Sequence, residues 1–335
     1  VETAAIVLAA GESSRMKSDL VKVLHPLAGL EMIKHVIRNV RFGSFGQIYV
    51  VIGHQGEKVQ AVLDGVKFVK QKKRLGTGHA VDQCRSFLAD FDGSVLVTYG
   101  DTPLFRKETF QELVAFHEKS GASATILTAE LADPTGYGRI LRDEQGVCGV
   151  VEQKDATAEE LAIREINTGT YCFNSRLLFQ YLKQITPDNV QAEYYLPDVL
   201  PLFLRDGHQV AGYILKDAAE SMGINDRRQL AEAEAILRDR LARFWQNQGV
   251  TLIDPETIWI EYDCIIGQDT IIYPNTFLQK GTVIGSRCRI GPNCRLKAAR
   301  VGDEVVMESA VVEGCSVETG AVLAPFTYLT SENGG

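Results

Sequence analysis

The chain has 335 residues, 45% hydrophobic and 23% charged, which is room for two domains with substantial cores. A net charge of −8 excludes a nucleic acid polymer as the expected partner, since phosphate contacts need a basic surface. The opening residues have no basic signal region and no apolar run reaches transmembrane length, so a cytoplasmic protein without membrane insertion is expected; seven scattered cysteines without a CxxC pair read as reduced thiols.

Thr3 to Ala10 is a run of small and branched residues without polar alternation, which predicts a strand covered on both faces. Gly11 breaks it into a tight turn that side chains would obstruct, where free backbone N–H groups can face an anion. Arg15 and Lys22 add a forked guanidinium and a compact ammonium to the same mouth, a combination suited to a triphosphate. The phosphate loops GxxxxGK[ST] and GxGxxG are both absent here.

Strands are predicted next at Gln47–Ile52, Gly65–Lys70 and Ser94–Thr98, with helices around Met32–Asn39, Glu57–Leu63 and Gly78–Leu88. This alternation is that of βα units on a largely parallel sheet. Such sheets bind ligands at the carboxyl ends of their strands, which sets Gly11, Gln71 and Asp101 along one rim. Further strands are expected at Ser123–Glu130, Ile166–Phe173 and Val210–Leu215, and a hairpin pairs Gly138–Arg142 with Val147–Glu152. Thr157 and Glu160 have the spacing of a capping box, and Leu177–Leu182 and Leu196–Leu204 read as helical. Leu230, Ala233, Leu237, Leu241 and Phe244 succeed one another at spacings of three or four, so one amphipathic helix over Asp226–Gln246 serves as the connector to the remaining chain.

Beyond that helix the period becomes six. Ile260, Ile266, Ile272, Leu278, Ile284, Ile290 and Leu296 share one hexad position, and Cys264, Thr270, Thr276, Thr282, Cys288 and Cys294 share another four residues on. Aliphatic and small residues at fixed hexad positions point into the corners of a triangular parallel β-helix of about four turns, with the three cysteines as packing. The register slips by one at Val301, where a short loop is expected to protrude, and resumes towards Tyr328. The organisation expected is a domain over 1–227, a linker helix over 228–248 and a repeat domain over 249–335.

With these features in place, the chain resembles the bacterial N-acetylglucosamine-1-phosphate uridylyltransferases, known for a bifunctional enzyme. The resemblance is carried by Leu8-Ala9-Ala10-Gly11 with Arg15-Met16, Lys22-Val23-Leu24-His25, Gln71, Leu75-Gly76-Thr77-Gly78-His79-Ala80 and Tyr99-Gly100-Asp101. It continues through Asp133 to Ile140, Val151 to Ala156, Glu165-Ile166-Asn167-Thr168-Gly169, Glu193-Tyr194-Tyr195 and Gly223-Ile224-Asn225. The resemblance implies an α/β fold, with a Rossmann-like nucleotidyltransferase domain of mixed, mostly parallel sheet succeeded by a short left-handed β-helix. The reaction implied joins UTP and N-acetylglucosamine 1-phosphate into UDP-N-acetylglucosamine and pyrophosphate. In-line transfer of this kind needs positioning and charge neutralisation and makes little demand for a side-chain nucleophile.

By the same resemblance, Leu8, Ala9, Ala10, Gly11, Gln71, Gly76 and Thr77 hold the nucleotide. Arg15 and Lys22 lie along the triphosphate as the catalytic cations, and Asp101 and Asn225 share a Mg²⁺. Tyr99, Gly100, Gly138, Glu152, Asn167 and Tyr195 form the amino-sugar subsite, while His79 is left a first-turn helix residue without a role. Relatives of this kind pack threefold through the prism, so a homotrimer is expected. Two departures stand out: Ser13 replaces a second loop glycine, and Pro325 to Ser331 stands in place of the family's arginine-bearing stretch, so acetyl transfer is not expected. The first moves the loop towards the molybdopterin nucleotidyltransferases, which lack the hexads and the Glu-Ile-Asn-Thr-Gly stretch. Alternative readings are a transferase for another sugar 1-phosphate, a catalytically silent scaffold subunit, or an acyltransferase defined by the repeats.

Overall fold

The computed structural model describes residues 2–11, 14–43, 45–144 and 146–331, so the substitution at Ser13 lies outside the described residues. The chain divides into two compact units, one of residues up to His25 with Met32–Gln229, the other of Pro26–Glu31 with the chain from Leu230 on.

In the first unit, β1 (Glu2–Ala9) is followed by the short β2 (Pro26–Leu27) and β3 (Leu30–Glu31), which belong to the second unit, and then by α1 (Met32–Phe42). The alternation continues through β4 (Gln47–Ile52), α2 (Gly56–Gln60), β5 (Lys67–Lys70), α3 (Thr77–Asp82), α4 (Arg85–Leu88), β6 (Gly93–Tyr99), α5 (Lys107–Ser120) and β7 (Ala124–Glu130). After the hairpin β8 (Arg139–Asp143) and β9 (Gly146–Val151) come α6 (Ala158–Leu161), β10 (Glu165–Asn174), α7 (Ser175–Tyr181), α8 (Val199–Arg205) and β11 (Val210–Ile214); α9 (Arg227–Asn247) begins in this unit and from Leu230 on belongs to the second.

The strand order is β11-β7-β10-β6-β1-β4-β5, with β8 paired to β10 and β9. β1 runs parallel to β4 and β6, whereas β10 is antiparallel to both β6 and β7. Ala4, Ile6 and Leu8 of β1 enter one core while Ala5, Val7 and Ala9 enter the core on the opposite face, which is why the strand shows no polar alternation. The Thr157–Glu160 capping box forms as expected.

Two helices depart from the sequence reading. The single helix expected over Gly78–Leu88 is divided into α3 and α4, because the Gln83 side-chain nitrogen donates to the His79 carbonyl at 3.0 Å, the acceptor that the Gln83 backbone would use in an α-helix. The Gln83 backbone N–H turns instead to Ala80 at 3.3 Å. The helix α5 had no counterpart in the sequence reading, although Phe110, Leu113 and His117 bury one face and Gly121 closes it at φ +67°.

In the second unit the hexads build three parallel sheets. The aliphatic positions from Ile260 to Leu296 and the small positions from Cys264 to Cys294 are all buried. At Val301 no loop protrudes. Val283 and Ile284 pair directly with Arg300 and Val301, so the turn is one residue short, and Arg295 pairs with Val311 in a turn two residues short. The spacing kept constant is the one from each small residue to the next aliphatic, as in Ala299 and Val301, Ala310 and Val312, and Cys315 and Val317. Residues are lost at the corner before it, where Ala298, Ser309 and Gly314 turn the chain at φ +50°, +49° and +65°. In the same unit Ala28 ties β2 and β3 to their neighbours, donating to Glu234 at 2.8 Å and accepting from the Tyr262 N–H at 2.9 Å.

Candidate functional site

The carboxyl ends of β1, β5 and β6 open on a cavity of about 540 Å³. Leu8, Ala9, Ala10, Gly11, Lys22, Gln71, Gly76, Thr77, Tyr99 and Asp101, ten of the residues singled out in the sequence, line it. On one side Lys22, whose side chain is 8% exposed, forms a short ion pair with Asp101 and donates to Asn225 Oδ1 at 3.1 Å. The three residues come from the segment after β1, the end of β6 and the segment before α9. The Ile224 N–H donates to the Asp101 carbonyl at 2.9 Å and so fixes the backbone that delivers Asn225.

Arg227 is a further tie that sequence reasoning passed over. Its Nε donates to the Met16 carbonyl at 3.2 Å and its Nη1 lies 3.4 Å from His25 Nδ1, so it holds both ends of the segment that carries Lys22. Burial, with the Arg227 charge second, lowers the His25 pKa. Gly11 departs from expectation: a Cβ there meets none of the described residues within 4 Å and its φ is not positive, so their packing does not require glycine. What adjoins Gly11 is the open cavity.

The opposite side is built by the loop before α3. Gly76 takes φ +107°, and a Cβ there would stand 2.5 Å from the Tyr194 carbonyl. The close approach is stitched by Tyr194 N–H to Leu75 at 2.7 Å, Gly78 N–H to Tyr194 at 2.8 Å and Leu196 N–H to Thr77 Oγ1 at 2.9 Å. The Glu193-Tyr194-Tyr195 stretch therefore clamps the Leu75–Ala80 loop. Arg74, which ends the basic run Lys70 to Arg74, and Glu193 of that clamping stretch also line the cavity, although the sequence assigned neither a role of its own there.

Beyond Tyr99 lies the group expected to hold the sugar. The Asn167 N–H donates to the Gly138 carbonyl at 2.9 Å, and a Cβ on Gly138 would come within 3.1 Å of Glu152 Oε1. Between Asn167 and Tyr171 the β10 register against β7 shifts, and Gly169, at φ +78°, leaves room for the Tyr99 ring, which a Cβ would strike at 2.2 Å. Tyr99 is thereby seated between the two ends, and its hydroxyl is held protonated by burial, with the Glu152 and Asp101 charges adding to the effect. Burial likewise raises the Glu152 pKa, with Asp155 and Asp198 contributing. Asp198, which the sequence did not mark, is pushed up to about 6 by burial and Asp155. Tyr195 shares this acidic surrounding and donates to Gln191 at 3.0 Å.

Gly100 packs against Ile33 and Val23, where a Cβ would come within 2.7 Å of Ile33, and is not among the residues lining the cavity. Arg15 is exposed on the turn Ser14–Met16 and is not among them either. Among the described residues no three His, Cys, Asp or Glu side chains converge as a metal cage. One carboxylate and one amide oxygen sharing the Lys22 ammonium suit instead a hard cation that takes most of its ligands from phosphate and water.

The first unit matches the MobA-like NTP transferase domain over residues 5–188, and residues 263–298 match six repeats of the bacterial transferase hexapeptide. Along almost the whole chain it is similar to proteins named bifunctional protein GlmU. That of Heliobacterium modesticaldum is 48% identical over 327 residues, covering 97% of this chain and 71% of the relative. That of Exiguobacterium sibiricum is 46% identical over 330 residues, covering 98% and 74%, and that of Halalkalibacterium halodurans is 44% identical over 327 residues, covering 97% and 72%. The MobA-like match ends at residue 188 and the hexapeptide match lies beyond it.

Proposed function

Because the chain belongs to the GlmU family of nucleotidyltransferases, we propose that its first unit transfers a uridylyl group from UTP to N-acetylglucosamine 1-phosphate. A phosphate oxygen of the sugar ester attacks the α-phosphorus of UTP, the bond from that phosphorus to the bridging oxygen breaks, and pyrophosphate leaves with the electron pair. The observation that carries this reading is the meeting of Lys22, Asp101 and Asn225 at the cavity rim, from segments far apart in sequence.

Asp101 and Asn225 would hold Mg²⁺, which when bound neutralises phosphate charge and templates the in-line approach. Lys22 supplies a second cation at the same point, and Arg15 reaches the triphosphate from the loop side. The β1 end, Gln71, Gly76 and Thr77 seat the nucleoside. Tyr99, Gly138, Glu152, Asn167 and Tyr195 orient the amino-sugar so that its phosphate faces the α-phosphorus. Holding both reactants in register is the larger part of such catalysis. The family supports a cytoplasmic enzyme trimerising through the hexapeptide prism.

The test is a matrix of nucleoside triphosphates against sugar 1-phosphates scored by pyrophosphate release. UTP with N-acetylglucosamine 1-phosphate should be the best pair, and Asp101→Ala should remove the Mg²⁺-dependent rate. Preference for another sugar 1-phosphate would correct the substrate; absence of release from every pair would refute the reaction.

A further inference from the structure

His79 stands on the first turn of α3, and it is not among the residues that line the cavity. It touches one that does. Gln71 is 5% exposed, and its side-chain nitrogen lies 3.2 Å from the Gly76 carbonyl and 2.9 Å from His79 Nδ1. A backbone carbonyl only accepts, so the Gln71 atom facing Gly76 is the nitrogen; a flipped amide would set oxygen against oxygen. With one amide hydrogen on Gly76, the other reaches His79 Nδ1, which accepts when the ring is neutral and protonated on Nε2. The Gln83 side chain braces the turn through its nitrogen, which donates to the His79 carbonyl at 3.0 Å; the same nitrogen lies 3.3 Å from Nε2 and, as a donor, accepts nothing from the ring.

Both hydrogens of the Gln71 amide are thus engaged inside the protein. The amide oxygen, for which the described residues supply no partner, is the polar end left to the cavity. Resting on the reading of this cavity as a nucleotide site, we propose that His79 is a positioning residue that sets base selection, by holding Gln71 so that it presents an acceptor to the base. An acceptor there suits the N3–H of uracil. Cytosine carries a lone pair on the same atom, and two facing acceptors leave both unpaired in a desolvated site, the kind of mismatch that discriminates strongly.

The experiment measures the affinities of UTP and CTP by calorimetry, with turnover alongside, for the full chain and for His79→Phe and His79→Asn. In His79→Phe the preference for UTP over CTP should narrow by about tenfold, the worth of one orienting hydrogen bond. His79→Asn, whose Oδ1 can stand where Nδ1 stood, should keep the preference. A purely structural role would weaken both nucleotides together, and an unchanged ratio in His79→Phe overturns the proposal. If the phenyl ring prevents folding, His79→Ala removes the same acceptor without added bulk and is judged by the same ratio. Failure of the unaltered protein to bind any nucleoside triphosphate would instead overturn the reading of the cavity.

Discussion

At Gly11 the chain has glycine where its own packing asks for none. A Cβ would meet no atom of the described residues within 4 Å, whereas at Gly76 it would strike the Tyr194 backbone at 2.5 Å. Two glycines of one rim are therefore kept for different reasons, and substitution separates them. Gly11→Ala should leave the melting temperature within a degree or two while raising the KM for UTP about tenfold or more, because the added methyl meets only ligand. Gly76→Ala should lower the melting temperature as well, since its φ of +107° and the Tyr194 contact are both lost to an L side chain. A Gly11→Ala protein with normal kinetics would take the loop away from the nucleotide. Much of this site was legible in the sequence because phosphate chemistry draws on few residue types at strand ends. Arg227 and Asp198 were not, since they act by holding or charging a neighbour and leave no motif of their own.

Elements were legible where local pattern and tertiary burial agree. β1 and the Thr157–Glu160 cap are such cases, while the division of α3 from α4 depends on where one glutamine side chain turns. The helix α5 hides a histidine that makes it measurable. His117 on its inner face is 4% exposed with Nδ1 2.9 Å from Thr125 Oγ1, and burial lowers its pKa from 6.5 to about 4. The unfolded imidazole takes up its proton near pH 6.5 and the folded one only near pH 4. The stability this residue contributes is therefore complete above pH 6.5 and falls as the pH drops towards 4, by about 3 kcal/mol in all. Replacing it by glutamine, which keeps a partner for Thr125, should flatten the curve of unfolding free energy against pH across that window. Parallel curves for the two proteins would show that His117 titrates alike folded and unfolded.

On the scale of the whole molecule, two patterns of different period account for two compact units. Six-residue repetition is readable because each turn sees only its neighbours, so the requirement at each corner recurs unaltered along the chain. What the period alone did not foretell was how a turn shortens. The small residue and the aliphatic two positions on form a rigid pair whose side chains both face inward, whereas the corner before it is a left-handed bend that tolerates loss. This asymmetry makes a prediction about insertions. One glycine inserted after Lys297, at the shortened corner, restores the length of the preceding turns and should leave thermal unfolding almost unchanged. The same glycine after Ala299 shifts Val301, which is 4% exposed, to the opposite face, together with the inward pattern after it until the next bend absorbs the shift. Removing a buried aliphatic side chain from a packed interior costs about 2–4 kcal/mol, so the second insertion should lower the melting temperature by several degrees. The residues proposed for uridylyl transfer all belong to the first unit, so pyrophosphate release at temperatures where both variants remain folded should match the unaltered chain. Equal melting temperatures for the two insertions would show that the pairing of small and aliphatic residues does not set the register. Loss of turnover in a folded variant would require a contribution from the repeats to the reaction.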